Sequence, residues 1–357
     1  MVIQNSVQRV LIWSFKSRVG GGGLCGLELA RAFSKQENIS VSVCCLAGSQ
    51  LESLSVNLGL KTYGLPPGFR ELRKVFPKFI RDQKPTLVIN PMLSLRQTPL
   101  LPVILNSRAR YVMLIHEARA RRGNSTIADH FGLMAQRWES KQADLCVALS
   151  KHTANQIITN VPVERVATAI HPAFNAARQK EVTAVPSNPA RILFFGRGNK
   201  SKGIDRLLEA VALLRDRLFV ELELCVDPEL AKQIGEVRGV RCFTDNLSEQ
   251  ALEEKILDAD VVALPYENAS QSGVAARAMG VGCPCVATPV GGLPEQVVNS
   301  QTGHIAIDMS VSAFADALER TLSDPVHYSQ LVKQNLELAR TARSWSEFAR
   351  LILHTLN

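Results

Sequence analysis

The stretch Asp260–Glu295, DVVALPYENASQSGVAARAMGVGCPCVATPVGGLPE, decides the fold. Its four apolar residues Val261-Val262-Ala263-Leu264 have the length and composition of a strand buried on both faces. Pro265 stops that strand, and the polar turn Asn268–Gly273 leads into a helix that Ser270 or Ser272 can cap. Val274–Val281 is rich in helix formers, Gly282 and Pro284 end the helix, and Pro284–Thr288 reads as the next buried strand. Gly291-Gly292-Leu293-Pro294-Glu295 then makes a second glycine-rich turn. Strand, small-residue loop, helix, strand and loop describe a parallel α/β sheet, with both loops at the carboxyl edge where such sheets bind ligands. A helix N-terminus there offers free N–H groups and partial positive charge, so the expected guest is an anion.

Upstream, Ile192–Arg197 reads as a strand with a glycine turn, and Lys202-Gly203-Ile204-Asp205 opens the next helix. Arg197 and Lys202, two cations five residues apart at a helix N-terminus, suit a diphosphate. Taken together, GR-x4-KGID and PY-x2-ASQSGV-x7-G-x-P-x-VAT-x-VGGLPE resemble the donor-binding half of family 4 glycosyltransferases. The likeness is close over the C-terminal half and loose over the N-terminal half. It implies an α/β GT-B fold, in which two Rossmann-like parallel-sheet domains face a cleft and the C-terminal helix crosses back to the first domain. The expected divisions are residues 1–172 with 343–357 as the acceptor-side domain and 190–342 as the donor-binding domain. Residues 173–189, where composition shifts to Ala, Asn, Gln, Ser and Pro without periodicity, are the expected linker.

The resemblance also implies an activity: transfer of a sugar from a nucleotide diphosphate sugar, with retention of anomeric configuration. The departing phosphate would help to deprotonate the acceptor. Arg197 and Lys202, with the backbone N–H groups of Ser272, Gly273 and Val274, would stabilise charge developing on the diphosphate. No metal and no other cofactor is then required; the nucleotide sugar is a co-substrate. One position departs from the pattern. The family usually carries E-x7-E, the first Glu facing the sugar and the second holding ribose, where this chain has Ala269 and Arg277. Glu267, two residues early, is the stand-in for the first, with Ser270 beside it. An arginine cannot accept the ribose hydroxyl protons. Either ribose is held otherwise, or Arg277 serves phosphate, or activity is lost. The alternatives to a transferase are therefore a degenerate homologue that binds nucleotide or a partner without turnover, and a nucleotide-sugar epimerase on the same fold.

In the N-terminal half, Arg9–Trp13 and Ile39–Ala47 read as strands flanking a helix that follows Gly20–Gly23. Gly21, Gly23 and Gly26 match GxGxxG, but the six residues Ser14–Val19 separate strand from glycines and no acidic residue ends the second strand. Both features disfavour a dehydrogenase. In the glycosyltransferase reading, Gly22 and Gly23 let the backbone approach the donor diphosphate or the acceptor. His116 follows the strand Tyr111–Ile115 at the carboxyl edge, and the resemblance makes it the catalytic His that faces the donor sugar. Arg119, Arg121 and Arg122 form a basic loop suited to a phosphate-bearing acceptor. Thr244 and Asp245 follow another strand and are candidates for meeting the nucleobase.

Composition narrows the partners. With 46% apolar and 21% charged residues the chain reads as globular, and no apolar run is long enough to predict a membrane span. Residues 1–170 hold 22 Lys/Arg against 10 Asp/Glu, or +12, and the rest hold 19 against 23, or −4. That asymmetry suggests an anionic membrane or polyanion beside the first half, against the alternative of a solvated basic surface. Phe69–Lys84 sets Phe69, Leu72, Val75, Phe76, Phe79 and Ile80 at helical spacings among basic residues, with Pro77 expected to kink or break it. It reads as a membrane-surface helix or as a helix covering the sheet. Eight cysteines without a CxxC pair predict neither zinc nor a disulfide framework and fit a reducing cytoplasm. Asp258-Ala259-Asp260 spans a helix end and a strand start, and reads as structural rather than as a metal-binding DxD. The expected partners are a nucleotide sugar, a glycolipid or polysaccharide acceptor of the cell envelope, and the inner face of the cell membrane, but not nucleic acid.

Overall fold

In the computed structural model, which describes residues 7–16, 20–118, 127–196, 202–244 and 247–356, every strand belongs to one of two parallel sheets. The first is formed by β1 (Gln8–Trp13), β2 (Ile39–Leu46), β3 (Thr62–Leu65), β4 (Leu87–Asn90), β5 (Arg110–Ile115), β6 (Leu145–Ala148) and β7 (Val166–Thr168), in the order β3-β2-β1-β4-β5-β6-β7. The second is formed by β8 (Ala190–Phe195), β9 (Val220–Cys225), β10 (Val240–Phe243), β11 (Val261–Leu264), β12 (Cys285–Ala287) and β13 (Gly303–Ile305), in the order β10-β9-β8-β11-β12-β13. Each order reverses direction beside its first strand, as doubly wound sheets do. The reversals lie between β1 and β4 and between β8 and β11, and the carboxyl ends of such pairs are where doubly wound sheets bind ligands. Val10–Trp13 and Val261–Leu264 are buried on both faces, as expected where helices cover a parallel sheet.

The chain forms two units: Met1–Ala169 with Trp345–Asn357, and Ile170–Ser344. The final helix, Trp345–Leu356, buries Trp345, Phe348, Ala349 and Ile352 and packs in the first unit against the Gly21–Ser34 helix and β6, the return crossing expected from the sequence. Arg110 Nη1 donates to the Leu356 carbonyl at 2.8 Å near its end. Residues 173–189 belong to the second unit, held by Phe174 N to the Ala276 carbonyl at 3.1 Å and Lys180 N to the Val281 carbonyl at 2.8 Å.

The Phe69–Gln83 helix covers the first sheet. Leu72, Phe76 and Ile80 are buried at i, i+4 and i+8, and Phe76 stacks on Trp13 with centroids 5.5 Å apart. The helix continues through Pro77. Its apolar stripe is thus used by the core, while Phe69 and Val75 stay partly exposed among the basic residues. All eight cysteines are free thiols, and among the described residues no helix is long and apolar enough to cross a membrane.

Candidate functional site

In the second unit the residues at the β8/β11 reversal form one hydrogen-bonded assembly. Arg197 lies outside the described residues. Lys202, one residue before the next helix turn, places Nζ 3.5 Å from the centroid of the Tyr266 ring, which is 1% exposed. A cation so placed is held by the ring's negative face. Gly203 has φ +64°, and a Cβ there would lie 1.9 Å from the Pro265 carbonyl oxygen, so this loop closes directly onto the loop after β11 only with glycine. One turn into the Ile204–Leu214 helix, Arg206 donates through Nη1 to the Pro265 carbonyl at 2.8 Å and pairs with Glu267 at 2.7 Å. Glu267, the expected stand-in, is therefore committed to Arg206.

Burial pushes the Tyr266 phenol well above its ordinary value, so it stays neutral, and it hydrogen-bonds Ser272. Of the two serines open as caps, Ser272 is the one used: its Oγ accepts from Ala275 N at 3.2 Å at the start of the Gly273–Val281 helix. Gln296 then grips Ser272 at both ends, Oε1 accepting from Ser272 N at 2.5 Å and Nε2 donating to the Ser272 carbonyl at 3.0 Å. Thr288 Oγ1 donates to the Tyr266 carbonyl at 2.6 Å, and Gly292 N to the Ala269 carbonyl at 3.0 Å. Gly291 has φ +56°, and a Cβ there would meet the Ala269 oxygen at 1.7 Å. The two glycine-rich loops are thereby joined, and the N–H groups of Gly273 and Val274 stand at a helix N-terminus beyond the reach of its own ladder. Ala269 is buried and serves the loop through its backbone; Ser270 sits partly buried beside it.

Arg277, one turn further along, puts Nη2 at 2.5 Å from Glu249 Oε2 and its guanidinium 5.3 Å from the Phe174 ring centroid. The structure spends this arginine on a carboxylate, which opposes a phosphate role for it. Thr244 is exposed at the end of β10, and Asp245 lies outside the described residues.

In the first unit the β1/β4 reversal carries a separate polar network. His116 Nε2 donates to the Pro91 carbonyl at 2.8 Å, and burial lowers the ring's proton affinity, so the neutral imidazole has its acceptor on Nδ1. Asn90, just before Pro91, is completely buried; its Oδ1 accepts from Met92 N at 3.2 Å and its Nδ2 donates to Glu139 at 3.2 Å. Glu139, also fully buried, further accepts from Tyr111 Oη at 2.8 Å and Thr98 Oγ1 at 2.6 Å. The glycine run opens the Gly21–Ser34 helix itself, and Gly23 is buried. Gly22 is needed for packing, since a Cβ there would come within 2.2 Å of the Met92 side chain. That requirement is met inside the protein and does not call on a donor phosphate. Arg119, Arg121 and Arg122 lie outside the described residues.

Gln296, Arg206, Glu249 and the Asn90–Glu139 pair escaped the sequence reading. Gln296 directly follows the last motif residue, which was its only available signal. Gln296→Leu would leave the buried Ser272 N–H unpaired, while the Ser272 carbonyl keeps Ala276 N at 3.2 Å, and should lower stability by about 1–3 kcal/mol in denaturant unfolding. An unchanged unfolding midpoint would show that the loop pair does not depend on it.

Residues 189–324 match the family model described as Glycosyl transferases group 1. A D-inositol 3-phosphate glycosyltransferase of Corynebacterium urealyticum is 29% identical over 215 residues, covering 56% of this chain and 50% of that protein. The one from Corynebacterium aurimucosum is 34% identical over 161 residues, covering 41% of this chain and 38% of that protein. The chain thus spans about half, or less, of the length of these curated relatives. Among solved structures, Anabaena HepE in complex with UDP superposes with TM-score 0.74 at 16% identity, covering 98% of this chain and 99% of that one. Sucrose-phosphate synthase from Thermosynechococcus elongatus gives TM-score 0.75 at 17% identity, covering 97% and 98%. At such identities the likeness is one of fold, and the fold is GT-B. Within it, the likeness to group 1 glycosyl transferases lies in residues 189–324 of the second unit.

Proposed function

We infer that the protein transfers a sugar from a nucleotide diphosphate sugar to a membrane-linked or polysaccharide acceptor, without a metal and with retention of configuration. The observation that carries this reading is the Lys202 ammonium fixed over Tyr266 beside the clamped N-terminus of the Gly273–Val281 helix. A cation and helix N–H groups at one crevice suit a diphosphate leaving group, and their charge substitutes for a metal. UDP and UDP-glucose occupy the HepE structures, which makes a uridine nucleotide the first donor to try. The relatives named for D-inositol 3-phosphate favour a phosphate-bearing acceptor, in keeping with the basic first unit. His116, held neutral by its surroundings, is assigned to the donor sugar.

A second reading, nucleotide or partner binding without turnover, is favoured by Ala269 and by the commitment of Arg277 to Glu249. The test is a thermal-shift panel of UDP, GDP, ADP, TDP and CMP with and without magnesium, followed by assay of the matching nucleotide sugar. A ligand at 100 times its Kd adds about 2.7 kcal/mol. The expected result is one magnesium-independent stabilising nucleotide and release of that nucleotide together with a glycosylated acceptor. Stabilisation without product would establish the binding-only reading, an epimerised sugar without acceptor the epimerase, and no stabilisation would remove the nucleotide site.

A further inference from the structure

The Ile127–Gln142 helix is built inside out. Between His130 and Gln142 its only fully buried side chains are polar, Glu139 and Ser140, and Leu133 is half-buried, while Phe131, Met134 and Trp138 are 59%, 65% and 41% exposed. The three recur at i, i+3 and i+7 and form one stripe. A surface helix ordinarily turns such a stripe towards the core. Here the core side is fastened by hydrogen bonds instead: Glu139 to Asn90, Tyr111 and Thr98, and Gln136 Nε2 to the Glu117 carbonyl at 2.6 Å. The charged side chains exposed along the same span are Arg137 and Lys141, with no exposed acidic residue from His130 to Gln142. Apolar groups flanked by cations complement a surface that is both greasy and anionic. A two-fold contact with a second copy would instead bring these like charges together.

We propose that this face seats the protein on an anionic lipid bilayer, with Phe131, Met134 and Trp138 entering the headgroup boundary and Arg137 and Lys141 meeting lipid phosphates. The proposal deepens the membrane-linked-acceptor reading above and rests on it. Three apolar side chains and two cations give reversible attachment that weakens as salt rises.

The chain contains its own reporter. Of its three tryptophans, Trp13 and Trp345 are 0% and 3% exposed, leaving Trp138 to sense lipid. The full chain is titrated with vesicles of phosphatidylcholine alone, or of phosphatidylcholine and phosphatidylglycerol in equal parts. A blue shift of emission with the anionic vesicles is expected, quenched by brominated lipid and diminished by salt. Trp138→Phe should abolish the shift but not cosedimentation, and Phe131→Ser with Met134→Ser should reduce partitioning about tenfold while thermal unfolding stays put. Cosedimentation with no change in Trp138 emission would overturn this face yet leave the membrane reading standing. No cosedimentation would overturn both, and a shift following protein concentration instead of lipid would assign the face to a second copy.

Discussion

Lys202→Ala is expected to lower kcat/KM by about a hundredfold, equivalent to ~2.7 kcal/mol of transition-state stabilisation. The charge on a departing nucleoside diphosphate grows as the glycosidic bond breaks, so a cation fixed beforehand lowers the barrier without reorganising. Lys202 is fixed in that sense by the Tyr266 ring beneath it. Its neighbour Arg206 cannot replace it, because that guanidinium is spent on the Pro265 carbonyl, Glu267 and the Met309 carbonyl. Lys202→Met separates charge from packing, since the methionine still covers the ring. If the methionine variant turns over at the wild-type rate, the diphosphate assignment is wrong; if it loses as much as alanine does, the charge is the operative part. Donor affinity measured alongside shows whether the loss falls on ground-state binding or on kcat.

Glu139→Ala should cost about 3 kcal/mol in stability, a large share of the 5–15 kcal/mol typical of a folded domain. It strands the fully buried Tyr111 hydroxyl and leaves the Asn90 amide only its bond to Tyr111 Oη at 3.0 Å, while the partly buried Thr98 hydroxyl loses its acceptor. Glu139→Gln keeps shape and hydrogen bonding and distinguishes charge from contact through pH. Burial holds this carboxyl above the ordinary glutamate value, so the folded chain binds its proton more tightly than the unfolded chain does. The stability tied to that proton is fully present below the unfolded value and is lost as pH rises through the higher folded value. Melting temperature followed across that window should decline less in Glu139→Gln than in the wild type. Parallel curves would mean that Glu139 keeps an ordinary proton affinity despite its burial. The network also fixes the Asn90–Met92 turn, whose Pro91 carbonyl holds His116, so altered turnover in these variants would follow from a displaced imidazole.

Much of the fold was legible because local signals agreed with one another. Val261–Leu264 is a strand bounded by Pro265, the next helix starts at Gly273 behind Ser272 and ends at Gly282, and Cys285–Ala287 pairs where a buried run was expected. The short strands Thr62–Leu65 and Gly303–Ile305 carry too few apolar residues to announce themselves and owe their pairing to neighbours. In the site, residue types adjacent in sequence were readable, but partnerships across loops were not. Nothing in the spacing of Arg277 and Glu249, or of Ser272 and Gln296, says that they meet. At the surface, periodicity left two readings open, and the helix that covers the sheet is the one observed. The Phe69–Gln83 helix has the pattern of an amphipathic surface helix but spends its stripe on the core, while the Ile127–Gln142 helix reverses the usual orientation, which periodicity cannot reveal because it does not say which face looks inward.

The first unit is assembled from the two ends of the sequence, leaving at Ala169 and regaining its last helix at Trp345. On the ribosome this inverts the usual order of maturation, in which the first domain made is the first completed. Ile170–Ser344 is synthesised whole before the earlier unit receives Trp345, Phe348 and Ile352, so the seven-stranded half waits, one helix short, while the other half finishes. A released chain lacking Trp345–Leu356 would therefore carry a complete second unit and an unfinished first unit, and a chaperone that shields apolar surface would find its purchase on the older half.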